Sequence, residues 1–433
     1  MTSKRTVNII TLGCSKNLID SERLMKMFYD SGFLTCHEPK TVSKNDIVVI
    51  NTCGFIGDAK EESVNTILEW CEAKSKGKIS QLYVMGCLSQ RYRDDLISNI
   101  PEVDGWYGKT DWPELVSHLA KKHPATASYD RIITTPRHHA YLKIAEGCNR
   151  FCSFCAIPLI TGRYRSSSIE DVEAEVKMLV SRGVKEFNVI AQDLSYYGTD
   201  IYGKQCIAEL VDRIAQIDGV KWIRLHYAYP SQFPMDLLDV MASRDNVCRY
   251  LDIALQHISD TVLSNMRRHI TSDETIALLE KIREKVPGIH IRTTLMVGFP
   301  GEGDAEFEQL MDFVKTQRFE RMGAFAYCEE EDTYGAKNFD DNISQEVKQA
   351  RLDRLMALQE QISLSHNEKK IGQTIRVIID REDPDYYVGR SEWDSPEVDP
   401  EVLIEKSKKL ERGEFYDVVV TGALPYELMA KPV

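Results

Sequence analysis

Three cysteines fall within eight residues: Cys148, Cys152 and Cys155, spaced C-x3-C-x2-C. Thiolate is the ligand of zinc and of iron–sulfur clusters, and three on one short loop can converge on a single centre. A zinc site calls for a fourth protein ligand. None follows at a zinc-ribbon spacing, and His138 and His139 are the only candidates nearby. Three thiolates on a cubane cluster leave one iron open to a substrate. The apolar run 141–145 just upstream reads as a strand, so the loop belongs at a strand's carboxyl end.

A second thiol set is spread along the first third of the chain. Runs 7–12, 46–52 and 82–85 are short, continuous and rich in β-branched residues, as buried parallel strands are. They end at Gly13-Cys14, Cys53-Gly54 and Gly86-Cys87. Helical patterns at 21–31, 59–74 and 91–99 follow them, so the sheet should be parallel with right-handed crossovers. Ligands of open α/β sheets bind outside the carboxyl ends of the strands. One sheet edge therefore presents Cys14, Cys53 and Cys87 together. Any one of them could be a small buried hydrophobe, but three at equivalent positions favour a metal site. Cys36 and Cys71 do not share the pattern and read as structural.

The chain of 433 residues carries a net charge of −13 and no apolar run of membrane-spanning length. The opening Met1-Thr2-Ser3-Lys4-Arg5 leads directly into a strand, with no export signal expected. A cytoplasmic home follows, where clustered cysteines read as metal ligands and not as disulfides. The acidic balance argues against a general nucleic-acid binder, whose affinity comes from Lys and Arg on phosphates. It suits a basic protein partner.

The elements that position the Cys148 loop continue the β–α alternation. With 141–145, strands at 186–191, 222–226, 250–255, 290–297 and 321–326 make six, with helices such as 169–182 and 271–286 between them. Six units form a partial (β/α)6 barrel, with ligand at the strands' carboxyl ends. Gln192-Asp193, His226-Tyr227, Gln256-His257 and the 298–302 loop gather there. Cys206, Cys248 and Cys328 lack cluster spacing. A charged helix at 345–370 leads to short alternating strands at 374–379, 386–390, 402–404 and 415–421, a small all-β barrel. That region holds Asp380, Glu382, Asp383, Asp385, Glu392, Asp394, Glu397, Asp399 and Glu401 against Arg381 and Arg390. Such a surface would repel an RNA backbone and attract a basic protein. The predicted divisions are 1–125, 134–366 and 367–433, with a linker at 123–137 rich in proline and small polar residues.

The Cys148 loop, with Phe154 before its third cysteine, closely resembles the signature of the radical S-adenosylmethionine (SAM) superfamily. The Cys14/Cys53/Cys87 pattern resembles the N-terminal domain of its methylthiotransferase branch, and the last region resembles a TRAM domain, an OB-like barrel. The run Leu12-Gly13-Cys14-Ser15-Lys16-Asn17-Leu18-Ile19-Asp20-Ser21-Glu22 is similar to the members that modify a ribosomal protein, not to the Gln-Met-Asn version of the tRNA-modifying members. The resemblance implies two [4Fe–4S] clusters, one on each cysteine trio, each with an open iron. It implies SAM in two roles, as methyl donor and as source of a 5′-deoxyadenosyl radical. The implied substrate is an aspartate of the small-subunit ribosomal protein S12, free or within the subunit, methylthiolated at its β-carbon. A low-potential electron donor is implied as a further partner, and tRNA is disfavoured. The resemblance assigns Phe154, Gln192, Gln256, Arg267 and Glu302 to the SAM site, with Arg268 as an alternative to Arg267. The competing readings are a methylthiotransferase of a tRNA adenosine and a non-catalytic iron–sulfur or zinc protein that binds ribosomal components.

Overall fold

The computed structural model describes residues 5–121 and 129–433. The chain separates into two compact units. The first comprises Met1–Thr135, Glu146–Asn149 and Cys155–Met178, and the second Pro136–Ala145, Arg150–Phe154 and Leu179–Val433. The C-terminal region and most of the central region thus belong to one unit, while the central segments 146–149 and 155–178 join the first. The expected linker at 123–137 and the boundary at 125 fall partly outside the described residues. Among the described residues, no helix is long and apolar enough to cross a membrane.

In the first unit, strands β1 (Thr6–Thr11), β2 (Leu34–His37), β3 (Ile47–Thr52), β4 (Gln81–Gly86) and β5 (Gly105–Trp106) form an all-parallel sheet in the order β2-β1-β3-β4-β5. The three anticipated strands are its centre; β2 and β5 are short edge strands with too little sequence pattern to be read. Every residue of β3 is buried, which explains its continuous apolar run. Helices α1 (Ser15–Asp30), α2 (Gly57–Ser75) and α3 (Cys87–Asn99) start earlier than periodicity places them. The first turns of α1 and α3 carry Asn17 and Cys87 of the thiol site instead of an apolar stripe. Cys14 is the N-cap of α1, and Cys87 is the first residue of α3.

In the second unit, β6 (His139–Lys143), β7 (Glu186–Ile190), β8 (Trp222–Ala228), β9 (Val247–Ile253), β10 (His290–Val297) and β11 (Arg321–Ala326) pair in parallel in sequence order, the expected six-stranded partial barrel. Helix Gln345–Glu368 then leads to a closed five-stranded barrel. Its strands are β12 (Thr374–Glu382), β13 (Tyr386–Ser391), β14 (Glu401–Glu405), β15 (Phe415–Leu424) and β16 (Glu427–Pro432). β16 was not anticipated. It closes the barrel by pairing with β14 and β15, which leaves no free edge.

The acidic residues of this last barrel turn inward more than the sequence implies. Arg390 binds Glu186 at the start of β7 through two contacts of 2.8 and 2.7 Å, and holds Asp380 at 2.6 Å. His138 also meets Asp380, at 2.7 Å. Arg321 binds Asp394 at 2.6 Å, and Asp399 accepts from Tyr250 at 2.7 Å and faces Arg292 at 3.4 Å. Tyr141 donates to Glu397, while Arg381 pairs with Asp383 and Glu401 at the exposed surface. Burial opposes ionisation of Glu186, but Arg390 and Arg224 outweigh it and hold its carboxyl at about 2. Much of the acidic run is therefore an internal brace at the amino ends of the strands. Asp380, Asp394 and Asp399 are taken up in this brace, so the composition overstates the surface charge on which the argument for a basic partner rests.

Candidate metal centres

Glycines bring the three thiols of the first unit to one place. Gly13 has φ +89°, and a Cβ there would lie 2.7 Å from Cys53 Cβ and 2.9 Å from its sulfur. A Cβ at Gly54 would meet the backbone of Leu88 at 2.7 Å, and one at Gly86 would meet Thr52 O at 2.5 Å. Each glycine adjoins one cysteine and presses on the loop bearing another, so the three strand ends touch through bare backbone. Such close approach leaves a tight space between the thiols, which fits a compact inorganic cluster.

The thiols differ in environment. Desolvation opposes ionisation of Cys14, but the Lys16 charge, the backbone N–H groups of Asn17 and Lys16, and the Lys109 ammonium together outweigh it and hold the thiol below its ordinary range. Burial pushes the Cys53 thiol up and takes that of Cys87 to about 12, although Lys109 beside Cys87 pulls the other way. A metal held at Cys87 would have to supply the free energy that ionises it. Lys109 is itself buried and held by Asp20 at 2.9 Å, with Glu146 at 3.8 Å. Cys87 also packs against Ala156 and Ile160, just beyond Cys155. Within this unit the distributed thiol site thus adjoins parts of the Cys148 loop.

The Cys148 loop is fixed from several sides. In the first unit, Cys148 N donates to Gly162 O at 3.2 Å, and Gly147, with φ +82°, leaves no room for a Cβ, which would sit 2.2 Å from Arg163 O. In the second unit, Ser153 bonds to Met266 O and Asn265 O at 3.0 and 2.6 Å. Arg268 Nη1 donates to Cys152 Sγ at 3.2 Å, and Tyr229 Oη lies 3.8 Å from the same sulfur. Arg150 and Arg268 each stack at 4.1 Å from the Tyr229 ring centroid. Arg150 Nε binds Asp193 Oδ2 at 2.6 Å. Burial pushes Asp193 above its usual range despite Arg150 beside it.

The residues assigned to SAM by resemblance scatter. Gln192 and Gln256 follow β7 and β9, at the expected carboxyl ends. Gln256 is buried with φ +74°, a strained conformation. Its Oε1 has no protein partner among the described residues, nor has Arg268 Nε. Buried polar atoms without partners call for a ligand, and one acceptor and one guanidinium N–H suit the amino, carboxylate and hydroxyl groups of SAM. Arg267 instead stacks at 4.6 Å over Tyr334, which is exposed, whereas Arg268 is buried against Cys152. Phe154 packs edge-on to Phe299 in an apolar cluster. Glu302 is fully buried with both oxygens engaged: Oε1 by Gly298 N and Arg351 at 2.8 Å each, Oε2 by His257 at 3.1 Å. It braces the loop after β10. Arg150, Tyr229 and Asn17 were not singled out from sequence. Arg150 lies inside the cysteine loop and Asn17 inside the Leu12–Glu22 run, which were the available signals; Tyr229 gave none.

His138 and His139, the candidate zinc ligands, sit at the start of β6, whose other end leads to the cysteine loop. His138 is engaged by Asp380. All eleven cysteines are free; Cys71 and Cys248 lie in apolar cores.

Three family descriptions match the chain: the Radical SAM superfamily over residues 142–314, the uncharacterized protein family UPF0004 over 6–108, and the TRAM domain over 371–433. The ribosomal protein uS12 methylthiotransferase RimO of Porphyromonas gingivalis is 59% identical over 432 residues, covering 99% of both chains. That of Christiangramia forsetii is 49% identical, covering 99% of this chain and 95% of its own. Among solved structures, the radical SAM methyltransferase TsrM from Kitasatospora setae superposes with a TM-score of 0.60 at 15% identity, covering 77% of this chain and 74% of its own. It shares the fold. With full-length identity at this level, the chain belongs to the ribosomal protein uS12 methylthiotransferase family of radical SAM enzymes.

Proposed function

We propose that this enzyme methylthiolates ribosomal protein uS12, at the β-carbon of an aspartate, using SAM and two [4Fe–4S] clusters. Cys148, Cys152 and Cys155 hold one cluster, and Cys14, Cys53 and Cys87 the other. The observation that carries the reading is the contact of Cys87 with Ala156 and Ile160, next to Cys155. That contact supports the reading, because transfer to one carbon requires the sulfur and the radical source to be held close together. The substrate is read from the relatives' names; a cytoplasmic location follows from it.

When bound, the clusters and SAM supply reductive formation of a carbon radical and a methylated sulfur. The chain's own residues do the rest. Arg268 fixes the Cys152 sulfur by a charged N–H and, with Arg150, flanks Tyr229. Gln256 and Arg268 offer SAM the partnerless Oε1 and Nε. The division at 1–125, 134–366 and 367–433 is retained as three functional regions.

The test offers anaerobically reconstituted enzyme, SAM and a reductant to uS12 and to bulk tRNA in parallel, followed by mass spectrometry. A methylthio gain on one uS12 aspartate is expected. A gain on tRNA alone overturns the substrate and keeps the chemistry. No SAM consumption by iron-loaded protein overturns both.

A further inference from the structure

One side chain touches all three strand ends of the distributed thiol site. Asn17 is buried. Its Nδ2 donates to Leu12 O at 2.9 Å and to Thr52 O at 3.1 Å. Its Oδ1 accepts from Lys109 Nζ at 3.4 Å and lies 3.7 Å from Cys87 Sγ. Leu12 stands two residues before Cys14, and Thr52 immediately before Cys53. Both amide hydrogens and both lone-pair directions are thus engaged, each by a different part of the site. The Asn17 carbonyl is in turn held by Asn51 Nδ2 at 2.8 Å.

We propose that Asn17 is the positioning residue of this centre, its carboxamide setting the distance between the loops that carry Cys14, Cys53 and Cys87. The proposal rests on the assignment of a cluster to these cysteines. A carboxylate cannot take this place: it has no hydrogen for Leu12 O or Thr52 O, and adds a charge beside thiolates. When Cys87 is a metal ligand its S–H is gone, and Lys109 remains as the donor to Oδ1. An oxygen without the amide nitrogen, or an apolar group of equal size, loses the clamp in different ways.

The experiment uses the full-length chain with Cys148, Cys152 and Cys155 changed to alanine, so that only the first-unit site can hold iron. Iron and sulfide per folded chain, the electron paramagnetic resonance of the reduced protein and its midpoint potential are compared for Asn17, Asn17→Asp and Asn17→Leu. About four irons per chain are expected with Asn17, and a loss of more than half with each variant, or a changed spectrum and potential in what remains. Full iron with unchanged spectrum and potential in either folded variant overturns the proposal. Loss of fold in both variants, by circular dichroism, also overturns it, since Asn17 then serves the core and not the site. If the Asn17 protein binds no iron, the cluster assignment fails instead.

Discussion

The two cysteine trios solve one problem in opposite ways. Cys148, Cys152 and Cys155 are gathered by the chain itself within eight residues. Cys14, Cys53 and Cys87 are gathered by a sheet, each at the end of a different parallel strand. The loop needs a few anchors, such as the Ser153 bonds and the Arg268 contact. The distributed site needs glycines at 13, 54 and 86, a buried amide and a buried ammonium to bring the strand ends together. A local site tolerates change in the fold around it, whereas an assembled site inherits every error of the sheet.

The largest expected effect is on the loop. Cys148→Ala should reduce SAM cleavage to background, read as 5′-deoxyadenosine by chromatography; persistent cleavage would break the contrast. Cys53→Ala should leave that cleavage within about twofold and abolish methylthio product, because the cofactors at each site carry separate chemistry. Equal loss of both activities would mean that the two sites cannot be separated.

Arg390→Met sharpens the contrast from the second unit. It strips the buried Glu186 of its main partner and should cost about 3–5 kcal/mol in chemical denaturation. It should leave iron bound by the first-unit thiols unchanged. The same region gives an acid response. His139 is buried beside Arg390, and its imidazole titrates at about 4 when folded against about 6.5 unfolded. Between those values the unfolded chain binds the extra proton, so stability rises with pH through the window and falls as acid is added, by up to about 1.4 kcal/mol per unit. Glu186 has the depressed carboxylate, and its contribution, present above the unfolded value, is lost as pH falls towards about 2. His139→Phe should flatten the stability profile between about 4 and 6.5.

The smallest effect is expected at Gly13→Ala. The positive φ costs about 1–3 kcal/mol, and the new methyl group presses on Cys53. Thermal stability and iron content of the first-unit site should drop together, with SAM cleavage nearly intact. Iron retention at wild-type level would show that the assembled site is more elastic than its packing implies.

Legibility in the sequence follows the same division. The loop trio is a spacing, and spacing is visible. The distributed trio was visible because β-branched runs mark the strands and the fold then aligns their ends. Strands β7 to β11 were legible for that reason, and β10 and β11 had their observed bounds. What stayed hidden depends on side-chain aim. Glu302 occupies a ligand-end loop yet turns to Arg351 and His257. Arg267 and Arg268 are adjacent, and only the backbone sends one to Tyr334 and the other to Cys152. The acidic run of the last barrel reads as surface in one dimension, while its partners at β6, β7, β10 and β11 are hundreds of residues away in part.

That brace has a consequence for how such proteins can be altered or inherited. The last barrel and the strands above it share charges as a lock shares its wards with a key. A chimera that imports a foreign barrel without matching Glu186, Arg224 and Arg321 would strand ions in a dry joint, so divergence on one side has to be answered on the other. The C-terminal region is therefore no interchangeable cassette, and pairs of compensating substitutions across this joint are the units in which it can change.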